Sequence, residues 1–135
     1  MKLSRKKAAL IFAAAAAVSA LALLLPRVSG LTGSRFTKNV DDDSFTMKFY
    51  PLNGSQTETF AMNAGDAVEV VFDRTSGMLS ASIGQAGKAP VYQGDDVSSG
   101  SFIVTAPDDG AYEITVTGRR AEGSVSFLIL RNKGE

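Results

Sequence analysis

The sequence lacks the residues on which several common kinds of site depend. It has no cysteine, which excludes a disulfide framework, a thiolate zinc site and a cysteine nucleophile. It has no histidine either, so the commonest general base and the commonest transition-metal ligand are absent. Tryptophan is also absent, which weakens an interpretation based on sugar stacking. Catalysis would have to use carboxylates or a serine–lysine pair.

The formal net charge is zero, but the charges are segregated along the chain. All 14 acidic residues follow residue 31, so the part beyond it carries a net charge of about −5. A net-negative domain argues against nucleic acid and against an anionic membrane surface as partners. The basic residues that precede residue 31 are Lys2, Arg5, Lys6, Lys7 and Arg27.

An uninterrupted apolar run extends from Ala8 to Leu25 and follows the basic N-terminus. Its length just reaches the minimum for a membrane-spanning helix and exceeds a usual cleaved segment. We therefore expect a signal peptide or signal anchor over residues 1–30, with a transmembrane helix at about residues 8–25. The positive N-terminus predicts a single-pass protein of the cell membrane whose C-terminal domain is extracytoplasmic. Secretion after signal cleavage is the alternative, since small-residue motifs occur at residues 20–22 and 28–30.

The segment 31–43 has no hydrophobic period and is rich in small and polar residues. This composition predicts a flexible linker between the apolar segment and a domain over residues 44–135. The segment ends in Asp41, Asp42 and Asp43. Three adjacent aspartates could form part of a calcium site, but no EF-hand spacing follows them, so a solvated acidic linker is the favoured interpretation.

From Ser44 onward, apolar residues alternate with polar ones, which is typical of half-buried strands. Clusters of Gly, Pro, Asn and Asp separate the alternating segments, and no helical period follows residue 30. The fold class predicted is all-β, a single antiparallel β-sandwich of jelly-roll-like type preceded by an N-terminal hydrophobic helix. About eight strands are expected, at residues 44–50, 57–62, 68–72, 79–83, 90–93, 102–105, 112–116 and 124–130.

The stretch from Gly100 to Gly118 organises this prediction, because it holds two apolar-alternating runs joined by a corner at residues 107–110. Tyr112 follows the corner and shares a strand face with Ile114 and Val116. This arrangement is similar to the tyrosine corner of immunoglobulin-like domains, in which the phenol hydroxyl bonds to upstream backbone. We expect Tyr112 to be buried and structural. The last strand is apolar on both faces, so it should lie at the centre of its sheet.

The strand pattern resembles a known type of module. Ala-Gly-Asp precedes a Val-x-Val strand, and Phe-x-Val-x-Ala-Pro-x-x-Gly-x-Tyr-x-Ile-x-Val precedes a closing Gly-Ser strand. This pattern resembles the small jelly-roll modules of exported bacterial proteins, of the pre-peptidase C-terminal type and its GOLD-like relatives. The resemblance implies a non-catalytic module of a secreted protein, although this one stands behind its own apolar segment. The matching residues are Gly65, Asp66, Val68, Val70, Pro107, Gly110, Tyr112, Ile114, Val116, Gly123 and Ser124.

Three further candidate sites have weaker support. Asp95 and Asp96 could meet Asp108 and Asp109 at one end of the sandwich and hold Ca²⁺, although aspartate is also a common turn residue. Tyr50 and Tyr92 could stack on a sugar ring. Lys88 could pair with Ser80 or Ser82, but serine is too frequent here for that pairing to carry weight.

The sequence thus predicts a non-catalytic, membrane-tethered, extracytoplasmic module for cell-surface or envelope interaction. Its expected partners are an unidentified protein or glycan, and the membrane through the N-terminal helix, but no nucleic acid. No catalytic, cofactor-binding or metal-binding residue is predicted, and no cofactor. A glycan- or Ca²⁺-binding module is the alternative, and a carboxylate-based hydrolase is the remote one.

Overall fold

The computed structural model describes residues 33–132, and all regular structure in this range is β. The strands form one antiparallel sheet in the order β1-β2-β6-β3-β4, with β5 also paired to β3. Within this range there is no helix that could span a membrane, and the predicted N-terminal helix lies outside the described residues. The strands are β1 (Phe36–Asp41), β2 (Ser44–Met62), β3 (Ala67–Gly84), β4 (Tyr92–Gly94), β5 (Gly100–Thr105) and β6 (Gly110–Leu130).

The three long strands bend at the same level, and the bends fold the sheet over itself. β2, β3 and β6 contain 19, 18 and 21 residues. Their pairing register shifts at residues 49–54 of β2 and 74–78 of β3, opposite residues 118–123 of β6. Such irregularities bend a strand and increase its twist. We call this row of bends the crease.

Two layers result from the fold at the crease. Layer A contains β1, β5 and residues 44–49, 67–74 and 123–130, and layer B contains β4 and residues 54–62, 78–84 and 110–118. The Lys38 ammonium of layer A lies 2.7 Å from the Glu58 carboxylate of layer B. The Phe102 ring of layer A lies 4.8 Å from the Tyr92 ring of layer B. The layers therefore face each other as a sandwich, and we call the end opposite the crease the open end.

The core consists of the inward-facing side chains of both layers. In layer A the Phe45 and Phe127 rings stack with centroids 5.6 Å apart, and Phe72 packs edge-on against Phe127 at 6.2 Å. The alternation in the sequence predicted most of this set, but Leu52, Ala106 and Ala121 lie outside the expected strands. The core residues are Phe45, Met47, Phe49, Leu52, Phe60, Met62, Val68, Val70, Phe72, Leu79, Ala81, Ile83, Ala106, Tyr112, Ile114, Val116, Ala121, Val125, Phe127 and Ile129.

The expected number of strands is wrong, because three expected breaks between strands are bends inside continuous strands. Residues 51–54 belong to β2, residues 73–77 belong to β3, and residues 117–123 belong to β6. All three segments contain turn-type residues because a bulge needs the same backbone freedom as a turn. Gly77 has a φ of 77°, and a Cβ atom there would collide with the backbone carbonyl of Arg120. Turn-type residues usually separate two strands. In this fold they let one strand bend and continue from one layer into the other.

Two other expectations concern the ends of the domain. The predicted linker over residues 31–43 is wrong for Phe36–Asp41, which forms β1 and pairs with Ser44–Phe49. A polar strand at the edge of a sheet lacks the apolar alternation that sequence patterns detect. The prediction for the last strand is confirmed, since residues 123–130 lie between β2 and β3. Its outer residues Leu128 and Leu130 nevertheless stay 40% and 39% exposed.

Candidate functional site

The outer face of layer B carries an ordered array of hydroxyl groups. Strand residues alternate between the two faces of a sheet, so the residues between the buried ones of β2, β3 and β6 all point outward. Seven of these outward residues are serine or threonine. We call this surface the hydroxyl face, and its members are Ser55, Thr57, Thr59, Ser80, Ser82, Thr115 and Thr117.

The hydroxyl groups lie in rows across the three central strands. Thr57 pairs with Thr115, which pairs with Ser82, and the next row contains Ser55, Thr117 and Ser80. The Oγ atoms of Thr57 and Thr115 are 2.8 Å apart, and the corresponding atoms of Ser55 and Thr117 are 2.7 Å apart. Neighbouring strands lie about 4.8 Å apart, and successive rows lie about 6.6 Å apart. The face is thus a flat grid of groups that can both donate and accept hydrogen bonds.

Two shallow grooves lie on the hydroxyl face beside the loops that flank β4. One has a volume of about 200 Å³ and contains Gln93 and Asp95, and the other has a volume of about 170 Å³ and contains Gln85, Lys88 and Glu113. Both grooves are lined by Ser82 and Thr115, so they adjoin each other. An amide, a carboxylate and an ammonium group therefore border the hydroxyl grid.

The two carboxylates of these grooves belong to backbone positions that lie farther apart than the paired carboxylates of glycosidases. Asp95 follows Gly94, which pairs with Ala81, whereas Glu113 pairs with Gly84. Four residues along a strand separate the two levels by about 13 Å. Paired glycosidase carboxylates lie about 5 to 10 Å apart. The geometry of these grooves fits ligand binding better than it fits this reaction.

A buried carboxylate lies at the open end and is fully bonded by the fold. Asp66 is 1% exposed. Its carboxylate accepts hydrogen bonds from the backbone N–H groups of Asn63 (2.9 Å) and Asn132 (2.8 Å) and from the Arg131 guanidinium (3.2 Å). The Asn63 and Asn132 N–H groups lower the pKa of Asp66, burial opposes them, and Arg131 lowers the pKa further. The match to Gly65 and Asp66 in the sequence pattern therefore marks a structural group.

Arg131 also determines the character of a wide cleft at the open end. This cleft has a volume of about 1010 Å³ and is lined by Val40, Asp41, Asp42, Asp43, Ser44, Thr59, Phe60, Ala61, Leu128 and Arg131. The Arg131 guanidinium donates to the Asp43 carboxylate at 2.6 Å and to the carbonyl oxygen of Ala61 at 2.8 Å. The Arg131 guanidinium thus partly neutralises the acidic groups of the cleft.

The prediction for Tyr112 is confirmed. Its side chain is 0% exposed. The phenol hydroxyl donates to the carbonyl oxygen of Asp108 at 2.6 Å and accepts from the Asp108 N–H at 3.2 Å. Tyr112 therefore fixes the corner between β5 and β6 from inside the core.

The two aspartate pairs do not meet. The Asp96 N–H bonds to the Ser80 hydroxyl at 3.3 Å near the crease, whereas the Asp109 carboxylate accepts from the Ala64 N–H at 2.7 Å at the open end. Asp96 is also paired with Arg74. Residues 33–132 contain no group of three or more carboxylates placed to hold a metal ion. The hypothesis of a shared Ca²⁺ site in these loops is wrong because the loops cap opposite ends of layer B.

The remaining candidates are also separated. Tyr50 lies at the crease beneath the Arg35 guanidinium, 5.4 Å from its ring centroid. Tyr92 points inward onto Phe102, and its pKa is raised by burial and by the charge of Asp95. The two tyrosines therefore do not form one stacking platform. Lys88 lies 3.8 Å from Asp108 and lines the same groove as Ser82 but not as Ser80.

Comparison with known proteins identifies no family for this chain. No protein-family model matches the sequence, and no curated protein matches it. The resemblance to pre-peptidase C-terminal modules therefore stays a prediction.

Several solved structures are similar in part. PliG from Aeromonas hydrophila, a periplasmic lysozyme inhibitor of g-type lysozyme, has 20% identity and a TM-score of 0.43, over 71% of this chain and 85% of that one. A CBM4 structure has 11% identity and a TM-score of 0.43, over 76% and 81%. TmCBM61 in complex with β-1,4-galactotriose has 15% identity and a TM-score of 0.40, over 73% and 70%. Similarity at this level does not indicate what this chain binds.

The hydroxyl face is the feature that the sequence interpretation missed. Its signal is present in the segments Ser55-x-Thr57-x-Thr59, Ser80-x-Ser82 and Thr115-x-Thr117. Each segment alone is an ordinary solvent-facing side of a strand. The grid exists because the pairing register of three strands, remote in sequence, places the segments side by side.

Proposed function

We propose that this chain is a non-catalytic, extracytoplasmic binding module that binds glycans through the hydroxyl face. The observation that carries the proposal is the grid of seven serine and threonine hydroxyls with two adjoining grooves. Glycans expose many hydroxyl groups on a repeating scaffold, so they suit a surface whose groups repeat in two directions and can each donate and accept.

The chemistry of the grooves supports a polyhydroxylated ligand over an apolar one. Each hydroxyl of the Thr57–Thr115 and Ser55–Thr117 pairs keeps hydrogen-bonding capacity beyond the bond that it makes to its neighbour. Gln93 and Asp95 add an amide and a carboxylate at the border of one groove. Sites for apolar small molecules are instead concave and lined mainly by hydrophobic side chains.

The membrane tether is the second part of the proposal. It is supported by the apolar run from Ala8 to Leu25 behind a basic N-terminus. In this arrangement the module stays at the outer surface of the membrane and contacts envelope polymers there. A protein partner in the envelope remains the alternative ligand, and secretion after cleavage remains the alternative location.

Sedimentation with insoluble polysaccharides tests glycan binding directly. The full chain in mild detergent is mixed with purified peptidoglycan or with cellulose, and the unbound fraction is measured. The double variant Thr57→Val and Thr115→Val keeps the shape of both side chains and removes two hydroxyls at the centre of the grid. We expect at least tenfold weaker binding, which corresponds to about 1.4 kcal/mol.

Thr46→Val is the matched control, because Thr46 has the same chemistry and is half-buried but lies on the outer face of layer A. It should bind like the unaltered chain. Binding by the hydroxyl-face variant that equals the control would exclude this face as the site. No binding to either polysaccharide would favour a protein partner.

A further inference from the structure

Within the described part of the chain, the cations without a carboxylate partner all lie on the crease side. Among residues 33–132 there are eight lysines and arginines. Four of them form ion pairs, namely Lys38, Arg74, Lys88 and Arg131. The other four have no carboxylate oxygen within 4.0 Å, and they are Arg35, Lys48, Arg119 and Arg120.

Backbone contacts bring three of these cations to one surface. Arg35 bonds through its backbone to Tyr50 and Pro51, at 2.8 Å in both cases. The Arg120 N–H donates to the Asn53 side-chain oxygen at 2.7 Å, and Arg120 has a φ of 51°. Arg119 adjoins Arg120, and both side chains are exposed. Residues 85 positions apart in the sequence therefore present guanidinium groups at the same bend.

Two large amphipathic or apolar side chains are exposed at the same bend. Tyr50 is 50% exposed with Arg35 over its ring, and Met78 is 43% exposed opposite Arg119. Tyrosine is enriched where a membrane meets water, because its ring is apolar and its hydroxyl is polar. We call Arg35, Tyr50, Met78, Arg119 and Arg120 the crease surface.

Four acidic residues lie near the crease surface, and one of them is paired with a cation. Asp96 forms an ion pair with Arg74, while Asp73, Asp95 and Glu122 are exposed. The open end is far more acidic, with Asp41, Asp42, Asp43, Asp66, Asp108 and Asp109 against Lys88 and Arg131. The net negative charge of the domain, which argued against an anionic surface as a partner, is thus concentrated at the end remote from the free arginines.

The first described residues of the chain lie at the crease. The Ser34 hydroxyl donates to the carbonyl oxygen of Asn53 at 2.9 Å, so Gly33 and Ser34 are on this side of the sandwich. The apolar run ends at Leu25. The eight steps from Leu25 to Gly33 span at most about 29 Å when the chain is fully extended. A membrane-spanning apolar segment would hold the crease, and not the acidic open end, nearest to the lipid headgroups.

We propose that the crease surface rests on anionic phospholipid headgroups of the membrane that carries the chain, so that the open end and the hydroxyl face point into the envelope. This inference rests on the proposed membrane tether. Charges act over about 8 Å at physiological ionic strength, so the short connection is needed to bring the arginines within range. Each arginine near an anionic membrane surface strengthens the contact about fivefold.

The absence of tryptophan makes an optical test possible. Tyr50→Trp introduces a single indole at the crease surface, and Ala64→Trp introduces one at the exposed open end. Each full-length variant is reconstituted into vesicles of phosphatidylcholine, with or without one third phosphatidylglycerol, containing a headgroup-region quencher. We expect the indole at position 50, but not at position 64, to be quenched and blue-shifted in the anionic vesicles. Half-molar salt should reverse the effect.

Charge removal gives the second arm of the test. In the Tyr50→Trp background, we expect the triple substitution Arg35→Gln, Arg119→Gln and Arg120→Gln to abolish quenching. Lys38→Gln should leave quenching unchanged, because Lys38 is already ion-paired on β1. Flotation with the vesicles reports the tether separately. If the chain floats but the indoles at positions 50 and 64 are quenched equally, the inference is overturned and the tether stands. The same holds if quenching at position 50 does not depend on lipid charge. A chain that does not float overturns the tether and this inference with it.

Discussion

The two ends of the sandwich use their polar residues in opposite ways. At the open end, Asp66, Arg131 and Tyr112 all bond to backbone groups of neighbouring turns. At the crease, the chain is shaped mainly by backbone geometry, and Arg119 and Arg120 extend freely into solvent. The charged side chains of Asp66 and Arg131 are therefore already bonded within the fold, whereas the arginines of the crease remain available to a partner.

This contrast follows from the backbone N–H and C=O groups that need hydrogen-bond partners at each end. Strands finish at the open end, so their last N–H and C=O groups need partners other than a neighbouring strand. Buried side chains such as Asp66 and Tyr112 supply them. At the crease the strands continue, and the ladder resumes after a short shift in register. Neutral side chains complete the hydrogen bonding there, since Asn53 accepts from the Arg120 N–H and Ser99 accepts from the Arg74 N–H. Arg119 and Arg120 are therefore not required for it.

The largest effect should come from removing the Tyr112 ring at the open end. Tyr112→Ala leaves a cavity in the core and removes the bonds to Asp108, so we expect a loss of about 3 to 5 kcal/mol. Tyr112→Phe removes only the hydroxyl and should cost about 1 kcal/mol, because its two bonds to the Asp108 backbone are lost. Urea unfolding curves of the full chain in detergent measure both. An unchanged midpoint for Tyr112→Ala would contradict the structural role of this residue.

The next effect should come from the backbone of the crease. Gly77→Ala combines a positive φ with a collision against the Arg120 carbonyl group, and we expect a loss of about 3 kcal/mol. Gly87→Ala is the matched control, because Gly87 has a φ of 81° but no atom within 4 Å of the added methyl group. It should cost only about 1 to 2 kcal/mol. If both variants lose the same free energy of unfolding in urea, the close approach of Gly77 to Arg120 does not stabilise the crease.

Much of the burial could be predicted from the sequence, because alternation of apolar residues is a local property. The alternation over residues 44–50 places Phe45, Met47 and Phe49 on one strand face, and the corner at Tyr112 follows from its neighbours. The bends could not be predicted, since Pro51 and Gly77 have the same local chemistry in a turn and in a bulge. β1 escaped prediction because its polar residues pair at an edge.

The candidate surfaces were harder to predict because both arise from pairing between remote segments. The hydroxyl face needs the register that places Thr57 beside Thr115 and Ser82. The crease surface needs the bend that places Arg35 near Arg120. The amino-acid composition shows only the net charge. The net charge hides the separation of the free arginines at the crease from the aspartates at the open end.

The smallest and most condition-dependent effect should come from the charge of Asp66. Asp66→Asn replaces one carboxylate oxygen by an NH₂ group, which cannot accept the N–H bond of Asn63 or Asn132. The folded state lowers the pKa of this carboxyl below its ordinary value near 4. The unfolded chain therefore binds the proton more tightly, and the stability due to the charge is present above about pH 4 and is lost as the pH falls through the native pKa.

Urea unfolding midpoints of the full chain at pH 7, 5 and 3 distinguish the effect of the Asp66 charge from the effect of the carboxylate shape. We expect the unaltered chain to exceed Asp66→Asn in stability at pH 7 and 5, and the difference to shrink at pH 3, because the unfolded chain has the higher pKa and takes up the proton first. Asp42→Asn is the control at the same end, since Asp42 is exposed and its carbonyl oxygen, not its carboxylate, accepts from Arg131. A difference that stays constant down to pH 3 would mean that the carboxylate shape, and not its charge, stabilises the open end.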